Sequence, residues 1–243
     1  MTERDPYRYM GVLAWSGPIF LIGAILGWAV LGHNIPPYSP AKSAEEFLVF
    51  IQANQYQIQL GMIIMMTVAP LYLMWGYAIT RIMQKADPYN DIMPTLQLWG
   101  AGFTMLVFFI PCGMWIGVTF RADTMDAASL RFMFDTAWMF FDTGFSPVTM
   151  QFCAFGVCFL SDKREVPLMP RWVSWLGIWV GVSFFVFMLM PFFKEGPLAR
   201  DGSLMFWIEF SLFFWFLAIA CFYIFKAIAR LKAEHAQSTT AAA

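Results

Sequence analysis

Two aspartates seven residues apart, Asp135 and Asp142, are the residues of this chain best placed to do chemistry. They fall in a long apolar run. An ionisable group in such a run is costly to bury and is a functional-site hypothesis by default. At 3.6 residues per turn, seven residues return to nearly the same helix face. Ser146, Thr149 and Cys153 continue that stripe, so one helix carries a polar seam. Pro147 lies within it and deprives the Thr143 carbonyl of its helical partner, which predicts a kink.

Two further groups belong with the seam. Glu209 is an acid close to the start of another apolar run, and Gln55 and Gln59 open a third. Together they suit the polar end of an otherwise apolar ligand. Asp142, Glu209 and Asp135 would anchor it, with Thr149 and Ser146 as hydroxyl partners and Gln55 and Gln59 at the rim. A plainer reading stands beside this one. Arg121 and Arg131 flank the connection before the seam, so Asp142 pairs with one of them as a brace and Asp135 is a wetted residue.

Residue types exclude much other chemistry. The two histidines, His33 and His235, lie outside the apolar runs, so clustered-His di-iron, bis-His haem and most zinc or copper sites are not expected. Cys112, Cys153, Cys158 and Cys221 show no CxxC spacing, so no metal site or disulfide framework is suggested. No Gly-rich phosphate loop, GxSxG or HExxH is present. No lysine sits inside an apolar run to form a Schiff base. The expectation is no cofactor and no metal.

The elements that must position these residues follow from composition. Sixty per cent of the 243 residues are hydrophobic and 13% are charged. A soluble domain carries about 25% charged residues. Mean hydropathy is +0.61. A bilayer core needs roughly 20 apolar residues per helix. Spans are predicted at 11–31, 58–80, 95–120, 136–160, 172–193 and 204–225. The fold class is therefore all-α: a polytopic transmembrane bundle of six helices in one domain, residues 1–232. The first span is too long for a signal-peptide core and is read as uncleaved. The small polar tail, 233–243, is expected to be disordered.

Between spans one and two, Pro36, Pro37 and Pro40 hold the chain extended. Ser43 and Glu46 then form a capping-box pattern ahead of Phe47, Leu48, Phe50 and Ile51. This predicts a short external amphipathic helix leading into span two. Gly pairs at four-residue spacing, Gly23/Gly27, Gly113/Gly117 and Gly177/Gly181, predict close helix contacts or self-association. Trp28, Trp75, Trp99, Trp115, Trp172, Trp175 and Trp207 fall near span ends, where an interfacial belt is expected.

Basic residues set the orientation. Arg4, Arg8, Arg81, Lys85, Lys163, Arg164, Arg171, Lys226, Arg230 and Lys232 lie on one side, and Lys42, Arg121, Arg131, Lys194 and Arg200 on the other. Ten against five predicts cytoplasmic termini. Eighteen residues separate Asp142 from Leu160, roughly 27 Å at 1.5 Å per residue. The acids thus concentrate in the outer half, which fits an outward-facing vestibule better than a path across the membrane. A net charge of −1 argues against a nucleic-acid partner.

Leu168-Met169-Pro170-Arg171-Trp172, followed by Leu176-Gly177, resembles the join before the fifth span in a broad group of uncharacterised six-helix bacterial membrane proteins. The six-span layout and the external connection after span one are also similar. The resemblance implies a bacterial cytoplasmic-membrane location and carries no catalytic residue.

Three functions remain. The first is a non-enzymatic protein that binds or helps move an apolar small molecule or lipid. The second is an accessory subunit of a larger membrane complex, or a homo-oligomer, contacting its partners through glycine and aromatic faces. The third is an intramembrane enzyme with Asp135 and Asp142 as an acid/base pair. It ranks last because no nucleophile or cofactor motif accompanies the acids.

Overall fold

The structure, a computed structural model, describes residues 6–242. Those residues are helical without strands, and six helical segments are long and apolar enough to cross a membrane. Span one is α1 (Met10–Gly23) continued by a π-helical stretch, Ala24–Leu31. Span two lies in α2 (Ala44–Ala86), and span three is α3 (Ile92–Phe120). Span four is built from α4 (Ala127–Thr143) and α5 (Ser146–Leu160). Span five is α6 (Arg171–Ser183) with a 3-10 stretch, Phe184–Phe192. Span six starts as a π-helical turn, Ser203–Ile208, and runs on as α7 (Glu209–Ala242).

The capping box forms. Ser43 Oγ accepts from the Glu46 amide at 3.2 Å, and the Glu46 carboxylate accepts from the Ser43 amide at 2.9 Å. The helix it opens does not stop before span two. α2 is 43 residues long, roughly 65 Å at 1.5 Å per residue and about twice the bilayer core. No Gly or Pro interrupts it between Ser43 and Gly61. The external helix is therefore the first turns of α2. Its apolar face buries Phe47 and Ile51 completely. Phe47 meets Phe134 of α4 at 4.7 Å between ring centres. The first turns of α2 are thus packed against α4.

The kink expected at Pro147 is a break. α4 ends at Thr143, Gly144 and Phe145 interrupt it, and Pro147 sits in the first turn of α5. A proline there costs no hydrogen bond, because first-turn amides have no helical partner.

The spans close into a ring. Each packs on its neighbour in sequence, and span one also packs on span six. Aromatic rings fill the centre. Trp28 stacks on Phe141 at 5.4 Å and on Phe210 at 5.3 Å. Trp28, Trp75 and Trp115 are each 1% exposed and belong to this interior rather than to an interfacial belt. Trp99, Trp172, Trp175 and Trp207 do face outward. The difference is helix face, which nearness to a span end does not specify.

Two of the three Gly pairs make close contacts. A Cβ on Gly27 would fall 2.7 Å from the Gly61 carbonyl oxygen, and one on Gly23 2.7 Å from Val68. On Gly177 it would meet Phe216 and Phe155 at 3.0 and 3.1 Å. Gly113 and Gly117 differ, with nothing nearer than 4.0 and 3.9 Å.

The segment 233–242, where disorder is expected, continues α7. Local bonds account for it. Arg230 pairs with Glu234 four residues on, at 2.8 Å, and Arg164 reaches the same carboxylate at 3.2 Å. Thr240 bonds back to the Ala236 carbonyl.

Candidate functional site

The seam on α4 splits into two environments two turns apart. The deeper one holds Asp142. It is 3% exposed, and its Oδ1 has no hydrogen-bond partner. Glu209, also 3% exposed, lines the same cavity from the first residue of α7. Ser183, the last residue of α6, donates to Glu209 Oε2 at 2.8 Å. The walls are apolar: Val107 and Phe108 of α3, Phe141, Phe145, Phe187 and Phe213 among them. The two acids and their walls thus come from spans three, four, five and six.

This cavity is about 50 Å³. At roughly 15 Å³ per ordered water it takes about three waters or a polar group of a few atoms. Drug-sized ligands need roughly 300–1,000 Å³. A whole lipid does not fit it, whereas a polar tip does.

No cation lies within 4.0 Å of Asp142 or Glu209 among the described residues. This corrects the expected pairing of Asp142 with Arg121 or Arg131. Arg131 lies eleven residues before Asp142, roughly 16 Å along the helix axis. It pairs instead with Asp135, one turn away, at 2.9 Å. The Arg121 guanidinium sits over the Phe120 ring at 5.3 Å.

The shallower environment is built around Asp135. Arg131 Nε donates to its Oδ2, and Arg200 Nη1 donates to its Oδ1 at 2.8 Å. Both guanidinium groups also hold the proline-rich connection. Arg131 Nη2 donates to the Ser39 carbonyl and Arg200 Nη2 to the Tyr38 carbonyl, each at 3.0 Å. Aromatic faces complete the clamp, with Arg200 over Phe134 and Trp138 and Arg131 over Tyr38 and Phe47. Asp135 is thus the centre of an ion-pair network.

The remaining candidates scatter. Thr149 donates to the Gly181 carbonyl at 2.7 Å and joins α5 to α6. Ser146 is exposed. Gln55 and Gln59 lie on the extended part of α2, which does not line the acid cavity. Asp135 and Asp142 line different cavities and do not converge. Among the described residues, no three His, Cys, Asp or Glu side chains group so as to hold a metal ion.

Sequence reasoning missed Ser183 and Arg200. Ser183 looks like an ordinary small residue in an apolar helix. Arg200 looks like a loop cation, although it is 2% exposed. Nothing in its local sequence signals a partner 65 residues away.

No family model, curated protein or solved structure matches this chain.

Proposed function

We propose that this chain is a non-enzymatic integral membrane protein that binds, or helps move, an apolar small molecule or lipid. Asp142 and Glu209 receive a hydrogen-bond-donating tip, such as a hydroxyl or an amine, and the phenylalanines hold the apolar part behind it. The carrying observation is a pair of buried acids without a direct ion-pair partner among the described residues, facing one phenylalanine-lined cavity. A structural role normally supplies each buried charge with a partner. Asp135 has two such partners, at 2.9 and 2.8 Å, whereas among the described residues Asp142 has none within 4.0 Å and only Arg200, already paired with Asp135, acts on it from farther off. The proposal includes a bacterial cytoplasmic membrane with both termini inside, so the acids open toward the outer leaflet.

The test is to purify the full chain and Asp142→Asn from the same membranes and identify co-purifying small molecules by mass spectrometry. A hydroxyl- or amine-bearing apolar molecule should accompany the wild type and be lost from the variant, with thermal stability kept. Identical extracts from both proteins would sink the reading.

A second reading, an accessory or self-associating subunit, has its own observation. Gly113 and Gly117 face a groove of about 520 Å³ between α3 and α4, lined also by Ile110, Met114 and Met133, where a Cβ would approach only methionine tips and no helix backbone among the described residues. A size comparison of the purified protein with Gly113→Leu tests it. An unchanged assembly would remove this reading.

A further inference from the structure

We infer that the face opposite the chain termini carries a binding site for a phosphoryl group, formed by Arg131, Arg200, Lys42 and Lys194 around a cavity of about 220 Å³. The site is separate from the Asp142–Glu209 cavity and shares no lining residue with it.

Charge is the first argument. Four cations line this cavity, and Asp135 is the one carboxylate among its lining residues. The excess of three positive charges is concentrated beside apolar surface, where water screens it poorly.

Burial is the second. Arg200 is 2% and Arg131 8% exposed. A buried guanidinium is costly unless its charge and its N–H groups are matched. Asp135 is the one carboxylate in direct contact and is shared between two of them, with Asp142 acting on Arg200 from farther off. Arg200 Nε and Arg131 Nη1 are buried with no hydrogen-bond partner. Burial also holds Arg200 below its ordinary pKa, and Asp135, with a smaller contribution from Asp142, only partly opposes this. An added anion would lower the energy of this group. The arginines are held in place by the Tyr38 and Ser39 carbonyls, so the site is ordered before a ligand arrives.

Shape is the third. Guanidinium forks match phosphoryl oxygens, and lysines supply point charge at the edge. Lys42 and Lys194 are exposed and stand at the mouth. The rest of the wall is Pro40, Met139, Met190, Pro191 and Phe193, an apolar side against which an acyl chain can lie. The shared chemistry is a phosphate monoester or diester, whether a lipid headgroup or a free phosphate.

The experiment uses the full chain in a neutral detergent. Thermal unfolding is followed against dioctanoyl phosphatidylglycerol, dioctanoylglycerol, inorganic phosphate and, at matched ionic strength, chloride. A ligand that binds only the folded state stabilises it in proportion to ln(1 + [L]/Kd). Phosphatidylglycerol should raise the midpoint, whereas dioctanoylglycerol and chloride should not. A rise with inorganic phosphate as well would assign the site to the phosphate group itself. A rise with the phospholipid alone would assign it to a lipid headgroup. Lys42→Glu/Lys194→Glu, at exposed positions, should fold normally and weaken the response at least tenfold. Glu209→Gln, in the acid cavity and without an electrostatic contribution from Arg200, should leave it unchanged, which separates this site from that cavity. Equal midpoints in all four additives, or an undiminished response in the double lysine variant, would overturn the inference.

Discussion

At the residue scale, the two aspartates of one helix face have opposite fates. Asp135 lies between two guanidinium groups, and Asp142 has no ion-pair partner. Near-isosteric substitutions should separate them. Asp135→Asn leaves Arg131 and Arg200 buried with their shared counter-charge removed. Breaking a fully buried pair costs about 3–5 kcal/mol. Asp135 is a third exposed, so a loss of about 2–3 kcal/mol is expected on that scale. Asp142→Asn breaks no direct ion pair and leaves Arg200 its Asp135 partner, so it should change stability by under about 1 kcal/mol. Denaturation of both variants in the same detergent checks the contrast. A larger loss for Asp142→Asn would show that its carboxylate is a structural partner.

At the element scale, identical Gly spacings do different jobs. A Leu at Gly27 must displace the Gly61 backbone, and a Leu at Gly177 must displace two phenylalanine rings. Both should lower the unfolding midpoint strongly, because helices that meet through glycine are forced apart. Gly113→Leu points into an open groove and should keep the wild-type midpoint. Equal losses at all three positions would mean that the groove is filled in the folded protein. The break in span four works on the same scale. It lets α4 and α5 meet different neighbours. Asp142, next to last in α4, shares a cavity with the start of α7, while Thr149 of α5 bonds to α6.

At the scale of the whole molecule, the proposal that all six apolar helices cross requires both termini on one side. Single cysteines introduced at Lys42 and Lys85 should then label from opposite sides of a sealed membrane vesicle. With the termini inside, the Lys42 position is the one reached from outside. Labelling of both from one side would refute the six-span layout.

Much was legible in the sequence, because bilayer thickness acts on every span alike. An apolar run of sufficient length must be a helix, since unpaired backbone groups are not tolerated in lipid. The same local logic exposed the Ser43–Glu46 cap and the interruption at Pro147, which involve residues within a turn of each other. It also singled out Asp142 and Glu209, because a carboxyl in an apolar run is conspicuous wherever the chain goes. That the two share one cavity, that Ser183 contacts Glu209, and that Arg200 reaches Asp135 across 65 residues were decided only by the tertiary structure. Helical periodicity fixes which residues share a face of one helix, but it is silent on which other helix that face meets. Gln55 and Gln59 show the cost of that silence. They are polar residues near the predicted start of an apolar run, as Glu209 is, yet they do not line the cavity. The ring order of the spans, set by packing around Trp28, Phe141 and Phe210, made the difference.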